Sequence, residues 1–417
     1  MSVYDQWHKS RPKPGESRCS CRPAKVPTKA HGAGKRWQVR WRDDAGKPQK
    51  LNFDKLPDAQ RKDAQIRASI DRGDYIDPNA GRITLTTYTR QWRAGQTVDP
   101  STLERTDSIL ANWVYRRPIG DQAMGVLAKR PSLVQAWVKD MQTSGLEAST
   151  IGGIVGLVST VFDAAVDDQV VGRNPCQSRT VKPPRAVKRK VVPWTLDQVD
   201  AMSAELPDRY AAMAYLGAGC AHRQGELFGV AVEDIDFLGR VVHVVRQVRI
   251  IGRQLVFSPP KRGKVRDVPL PESVGLTLSA HIAAHPPVKV TLPWKVPDGE
   301  LVTVALLFTT SAGQALNRPT FNDAWRASLA GAGIAAGRAN GMHVLRHTAA
   351  SAWLAAGVDI RTVADYLGHS DPGFTLRTYT HLMPDAADRA RKAMDMFFAS
   401  SSAGGSSALI VPGNGAS

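Results

Sequence analysis

Four short segments in the second half of the sequence hold residue types able to do chemistry. In the stretch Gly217-Ala218-Gly219-Cys220-Ala221-His222-Arg223-Gln224-Gly225-Glu226-Leu227, one helix should end near Gly219 and another begin with Arg223 in its first turn. Arg223 and Glu226, three apart, share a face of that helix, where the plainest account is an ion pair. The basic stretch Ser258-Pro259-Pro260-Lys261-Arg262-Gly263-Lys264-Val265-Arg266 reads as the turn of a hairpin between strands at 255–258 and 265–270. Such a turn can hold Lys261 out toward a ligand. On a helix, His343, Arg346 and His347 lie on one side. His343 and His347 have the i, i+4 spacing of a zinc helix, but the Glu after the first His is missing, so no metal is expected there. Finally, Tyr366-Leu367-Gly368-His369-Ser370-Asp371-Pro372 leads into a helix with Asp371 as N-cap and Pro372 at its first position, and this helix carries Tyr379.

The charge of the chain indicates what these groups act on. Lys+Arg 55 against Asp+Glu 38 leaves +17 over 417 residues, with a pI of about 9.9. A balance this positive points to a polyanion, most commonly nucleic acid. Residues 1–50 alone carry 13 basic against four acidic side chains, and 179–190 (RTVKPPRAVKRK) carry six basic and no acidic ones. Blocks of one sign suit phosphate contact. Other classes are disfavoured. No apolar run approaches the ~20 residues of a membrane helix, and the N-terminus lacks the apolar core of a secretory signal. Four cysteines are too few for a disulfide scaffold, which fits a reducing interior and a cytoplasmic location. Cys19 and Cys21 form a lone C-x-C near His8 and His31. No second ligand pair stands at zinc-site spacing, so they read as incidental thiols, and neither metal nor cofactor is expected.

The elements around the chemical segments suggest a multi-domain chain. Residues 1–34, rich in Pro, Gly, Ser and basic side chains, read as a flexible basic arm. Residues 35–80 read as a small β-sheet plus helix. In its hairpin Trp37, Val39 and Trp41 line one face and Arg36, Arg40 and Arg42 the other, with Asp44-Ala45-Gly46-Lys47 as the turn; a helix from 56 to 72 follows. Arginines on an open sheet suit a DNA major groove. Residues 83–178 read as an all-α domain with helices near 86–95, 101–116, 129–144 and 149–168, stopped at Gly145 and Gly172. Residues 179–193 form a basic, Pro-rich linker able to run along a duplex backbone. The last domain, 194–398, is α+β, mainly helical with a small antiparallel sheet; Thr195 is expected to cap its first helix. The Ser/Gly-rich tail, 399–417, reads as disordered.

Taken together, Arg223, Lys261, His343-x-x-Arg346, Leu367-Gly368-His369 and Tyr379 ten residues on resemble the tyrosine recombinases of the phage integrase family. The catalytic resemblance covers about residues 194–398, and the order of arm-type, core-binding and catalytic domains matches over nearly the whole chain. The resemblance implies a site-specific DNA recombinase that integrates and excises a phage or mobile element without metal or ATP. It implies Tyr379 as nucleophile, with Arg223, Lys261, His343, Arg346 and His369 as activating residues and Glu226 as acidic support. Two arginines can fork onto the non-bridging oxygens of the five-coordinate transition state. His343 would take the phenol proton, Lys261 would protonate the departing 5′-oxygen, and Lys264 is a nearby competitor for that task. The sequence departs from the family at Ala221-His222, where Gly-Leu or Gly-Met is more usual. Implied partners are duplex DNA at core and arm sites, three further copies in a synaptic tetramer, and an excision factor or host DNA-bending protein. A helix at 386–399 bearing Ala390, Met394, Phe397 and Phe398 would dock on a neighbouring copy. The alternatives are a type IB topoisomerase-like relaxing enzyme, which usually has Lys in place of His in the His-x-x-Arg box, and a non-catalytic DNA-binding protein.

Overall fold

In the N-terminal hairpin the alternation of the residues decides which face is buried. The computed structural model describes residues 2–11, 13, 15–42, 46–73, 75–77, 79–187, 190–379, 391–392 and 394–399. Strands β1 (Ser2–Asp5), β2 (Trp37–Arg42) and β3 (Pro48–Phe53) pair antiparallel in that order. Val3 faces Val39, and Val39 faces Leu51. Helix α1 (Leu56–Asp71) covers the apolar side, burying Ala59 and Ile66 against Val39, Trp41 and Tyr75. The Trp41 indole donates to the Tyr75 hydroxyl at 2.6 Å. Two expectations are corrected here. Ser2–Asp5 is a strand rather than flexible arm, because Val3 and Tyr4 find partners on β2 that a four-residue pattern cannot announce. Within the following loop, His8, Cys19, Cys21 and His31 converge. Asp43–Ala45 of the expected turn lie outside the described residues.

The helical part of this first unit, which spans 1–187, comprises α2 (Leu85–Ala94), α3 (Pro100–Leu110), α4 (Met124–Lys129), α5 (Pro131–Thr143) and α6 (Ala148–Asp167). Thr84 and Asp99 cap α2 and α3 through their side-chain oxygens. The expected helix at 101–116 passes after Leu110 into one π-helical turn, 111–115. The expected helix at 129–144 begins only at Pro131, since Arg130 leaves helical geometry. Gly145 ends α5 with φ +80°. Helix α6 is 20 residues long with mean hydropathy 1.6, enough by length and composition to cross a membrane. That corrects the expectation that no segment comes near this limit: interspersed Gly, Ser and Thr hide the apolar character of the run. In this fold Ile151, Ile154, Val155, Val158, Val161, Phe162 and Ala165 bury one face of α6 in the helical core.

The second unit begins at Lys188. Thr195 caps α7 (Leu196–Glu205) in a reciprocal box with Gln198. Then come α8 (Asp208–Cys220), α9 (Gln224–Gly229), strands β4 (Ile235–Asp236), β5 (Val241–Val244), β6 (Gln247–Ile251), β7 (Gln254–Ser258) and β8 (Arg266–Pro269), α10 (Glu272–Ala284), β9 (Val288–Pro293) and β10 (Leu301–Leu306). Next come α11 (Arg318–Gly331), α12 (His343–Ala355), α13 (Ile360–Leu367) and α14 (Pro372–Tyr379). The expected hairpin between 255–258 and 265–270 does not form. β7 pairs back onto β6 through Gly252-Arg253, while β8 pairs with β5 in the order β4-β5-β8. Gly252, at φ +62°, opens the tight two-residue turn from β6 to β7, while the β-branched run 241–251 is broken into β5 and β6 at Val245-Arg246. The main core runs from Met202 and Leu216 through Phe228, Val268 and Phe308 to Trp325 and Leu345, and Trp194 stacks flat on Trp325. A second cluster of Ala221, Ala349, Ala350, Leu354, Val363, Leu367 and Tyr379 packs α12, α13 and α14 together. Residues 380–390 and 393, and with them Ala390, lie outside the described residues, as does the tail from Ser400; of the expected C-terminal helix, residues 391–392 and 394–399 are helical, with Met394, Phe397 and Phe398 exposed.

Candidate active site

Two guanidinium groups meet on one carbonyl. Arg223, the N-cap of α9, donates from Nη2 to the Leu367 oxygen at 3.0 Å, and Arg346 of α12 donates to the same oxygen. Arg346 also donates to Ala221 O at 2.8 Å and approaches His369 Nε2 at 3.3 Å. The geometry depends on Gly368, which ends α13 with φ +60° and turns the chain so that the Leu367 carbonyl and the His369 ring face the arginines. His369 Nδ1 is fixed in turn by the Thr375 hydroxyl at 2.7 Å. Ala221 sits in the left-handed region at φ +54°, a conformation that favours glycine.

Glu226 is the counter-charge under this pair. Its side chain is fully buried, accepts from the Arg223 amide at 2.9 Å and side chain at 2.8 Å, and takes both terminal nitrogens of Arg266 at 3.1 and 2.6 Å. Burial alone would raise the Glu226 pKa, but the hydrogen bonds and charge of Arg266, joined by Arg223, hold it far below the carboxylate range. Arg346, only 1% exposed, is pushed down by burial and by Arg223 and Arg266, yet a guanidinium stays charged at neutral pH. Arg266 is the residue that sequence reasoning overlooked as one more basic turn residue. The signal was alternation: Arg266, Val268 and Leu270 are buried in step, so Arg266 points inward with them.

Tyr379 is 1% exposed, and its hydroxyl shares a 2.7 Å hydrogen bond with His347 Nδ1. Burial pushes the phenol up to about 12, offset in part by Arg346. His343 lies edge-on against His347, with centroids 4.7 Å apart. Although the His343 ring is exposed, the surrounding protein, followed by His347, Arg346 and Arg223, lowers it to about 4; burial and then Arg346 lower His347 to about 4. Burial, Arg346 and Arg223 bring His369 to about 3. The site therefore holds three neutral imidazoles beside two cations at neutral pH. Arg223, His343, Arg346, His369 and Tyr379 are thus brought together. Lys261 is not: it stands exposed on a one-turn 3₁₀ segment, Lys261–Gly263. That loop is tied to the end of α13 by its neighbours, since Lys264 Nζ donates to His369 O at 2.9 Å and Arg262 bonds the Ser370 hydroxyl.

Fixed cations, neutral imidazoles and a buried phenol thus share one site in the second unit. The model of the Phage integrase family matches residues 192–385. An integrase of Mycobacterium phage D29 is 26% identical, covering 78% of this chain and 84% of that protein. A XerC-like tyrosine recombinase of Caldanaerobacter subterraneus subsp. tengcongensis is 24% identical over 72% of this chain and 78% of its own. Among solved structures, the Tn1549 transposon integrase in complex with a circular intermediate DNA shares the fold with TM-score 0.62 and 22% identity, covering 75% of this chain and 99% of that one. A lambda integrase tetramer bound to a Holliday junction gives TM-score 0.53 at 16% identity, with 83% and 92% covered. Residues 192–385 belong to the phage integrase family, and with these relatives the protein is a tyrosine recombinase, an enzyme of site-specific DNA recombination. These relatives favour recombination over the topoisomerase alternative.

Proposed function

We propose that Tyr379 attacks the scissile phosphorus, with Arg223, Arg346 and His369 binding its non-bridging oxygens. The observation that carries this reading is the convergence of both guanidinium groups on the Leu367 carbonyl, with the phenol held by the same three-helix cluster. A phosphate displacing that carbonyl would gain two fixed cations where negative charge develops. The phenol oxygen forms a bond to phosphorus as the P–O5′ bond breaks, leaving a 3′-phosphotyrosine and a 5′-hydroxyl. His347 holds the hydroxyl at rest, and solvent-facing His343 takes the proton once Tyr379 turns toward the phosphate. Lys261 supplies the proton to O5′, its loop anchored by Arg262 and Lys264. Attack of a partner strand's 5′-hydroxyl on the phosphotyrosine reseals DNA without ATP.

The D29 relative supports integration of a phage or mobile element, and the lambda assembly supports action as a tetramer on duplex DNA. Residues 35–80 would bind arm sites and 83–178 core sites, in the bacterial cytoplasm beside the nucleoid, with an excision factor or DNA-bending protein setting direction. The test uses nicked substrates that trap the covalent intermediate. Tyr379→Phe should bind DNA yet form no adduct; adducts from that variant would overturn the assignment. Lys261→Ala should lose cleavage of ordinary DNA but recover it on a 5′-phosphorothiolate, whose leaving group needs no proton. Lys264→Ala behaving this way instead would transfer the role.

A further inference from the structure

We propose that His8, Cys19, Cys21 and His31 form a structural zinc site that fastens the N-terminal loop to the three-stranded sheet. Their four donor atoms lie within 4.8 Å of one another. Cys19 Sγ and Cys21 Sγ are 3.0 Å apart; His31 Nε2 is 3.1 Å from the first and 3.2 Å from the second; His8 Nε2 is 3.3 Å from Cys21 Sγ. Two thiolates and two imidazoles around one point are the donor set that structural zinc takes in a tetrahedron, with no position left for water. His8 and Cys19 are buried, so the site is partly closed to solvent. The sulfurs are free cysteines, too far apart for a disulfide bond.

The backbone sets the ligands by antiparallel pairing. His8 bridges Pro27, with Lys9 N donating to Val26 O at 2.9 Å and Thr28 N to Trp7 O at 2.9 Å. Cys19 N donates to Lys25 O at 2.7 Å, and the Cys19–Arg22 turn presents both thiols on one side. Outside the ligands the chain adds the support a metal-binding histidine needs. His8 Nδ1 lies 2.9 Å from Asp5 Oδ2, nearer than Arg36 Nη2 at 3.3 Å. The carboxylate therefore draws the Nδ1 proton and leaves the Nε2 lone pair facing the cluster. Asp5 is itself clamped by Arg36, at 2.8 Å through Nη2. Asp5 ends β1, so the site is wired directly to the sheet.

The loop also needs a cross-link on energetic grounds. It runs for about 30 residues, 6–35, and among its described residues only Cys19 and Val26 are buried apolar side chains. Two buried apolar side chains offset little of the conformational entropy lost in ordering a segment of that length. Zinc binding offsets part of that loss, releasing the thiol protons as it does so.

The test measures metal in the full-length chain purified without chelator. About one zinc per chain is expected, falling below about one tenth in Cys19→Ser/Cys21→Ser. Asp5→Asn should weaken zinc affinity by about tenfold or more. Because the double variant could misfold, the wild-type chain carries two further readouts. Cobalt exchange should give thiolate charge-transfer and tetrahedral d–d absorption. Trypsin should cut at Lys25 and Lys29 only after chelation, with protection restored by zinc. Metal-free protein, zinc retained by the double variant, or an intact mass lower by two hydrogens from a Cys19–Cys21 disulfide would overturn the proposal.

Discussion

His222 and Glu226 stand four residues apart beneath the arginines and show how burial treats two ionisable groups in opposite ways. Glu226 keeps its charge because Arg266 and Arg223 answer it. Removing that carboxylate by Glu226→Ala leaves Arg266 buried without a counter-charge, a loss of about 3–5 kcal/mol that urea unfolding would read; a change under about 1 kcal/mol would show that Arg266 finds water instead. His222 is 2% exposed, and neither ring nitrogen makes a hydrogen bond of good geometry. Burial is the main cause lowering it to about 3; Arg266 and Arg346 add to this while Glu226 opposes them. The unfolded chain takes up this proton near pH 6.5 and the native chain only near 3, so acidification through that window favours unfolding. The expected slope is about 1.4 kcal/mol per pH unit, with His343 and His347 adding to it. His222→Leu, one of the family's usual residues, should flatten the slope and raise stability at neutral pH by about 1 kcal/mol or more. An unchanged slope would mean that burial does not hold the His222 pKa below its unfolded value.

At the scale of elements, the turn at Gly368 has the greatest leverage on the site. It combines φ +60° with a tight space, since an added Cβ would meet Arg266 Cδ at 3.3 Å. Gly368→Ala should cost about 1–2 kcal/mol from backbone strain, and it should depress strand cleavage more than DNA binding, because Leu367 O and His369 turn with it. Equal losses in a gel-shift and a cleavage assay would argue against that coupling. The segments around this turn were legible in the sequence because their signals are local: Asp371 caps α14, Thr195 caps α7, and His343, Arg346 and His347 share one helix. What escaped depends on distant partners. The choice of β5 for β8 joins residues 241–244 to 266–269 and cannot be read from either strand. His347 and Tyr379, 32 apart, meet only once α12, α13 and α14 have packed. The cluster at His8, Cys19, Cys21 and His31 escaped because its spacing follows no regular motif and its ligands come from an irregular loop.

Over the whole molecule, charge and core divide along the same line. Residues 1–187 carry 31 basic against 19 acidic side chains, or +12 of the chain's +17. Residues 188–417 hold the entire site and the main core from Trp194 to Leu345, which is enough for an independent domain. A chain beginning at Lys188 should therefore unfold cooperatively on its own in urea. It should bind a core-site duplex more weakly, because most of the surplus positive charge is gone. The deciding measurement is the dependence of affinity on salt. Each phosphate that the protein no longer neutralises makes the slope of log K against log salt shallower by about 0.9, so the full chain should be steeper by several units if the first unit grips the backbone. Equal slopes would place the grip in the catalytic unit alone and leave the basic N-terminal half without a phosphate-binding role.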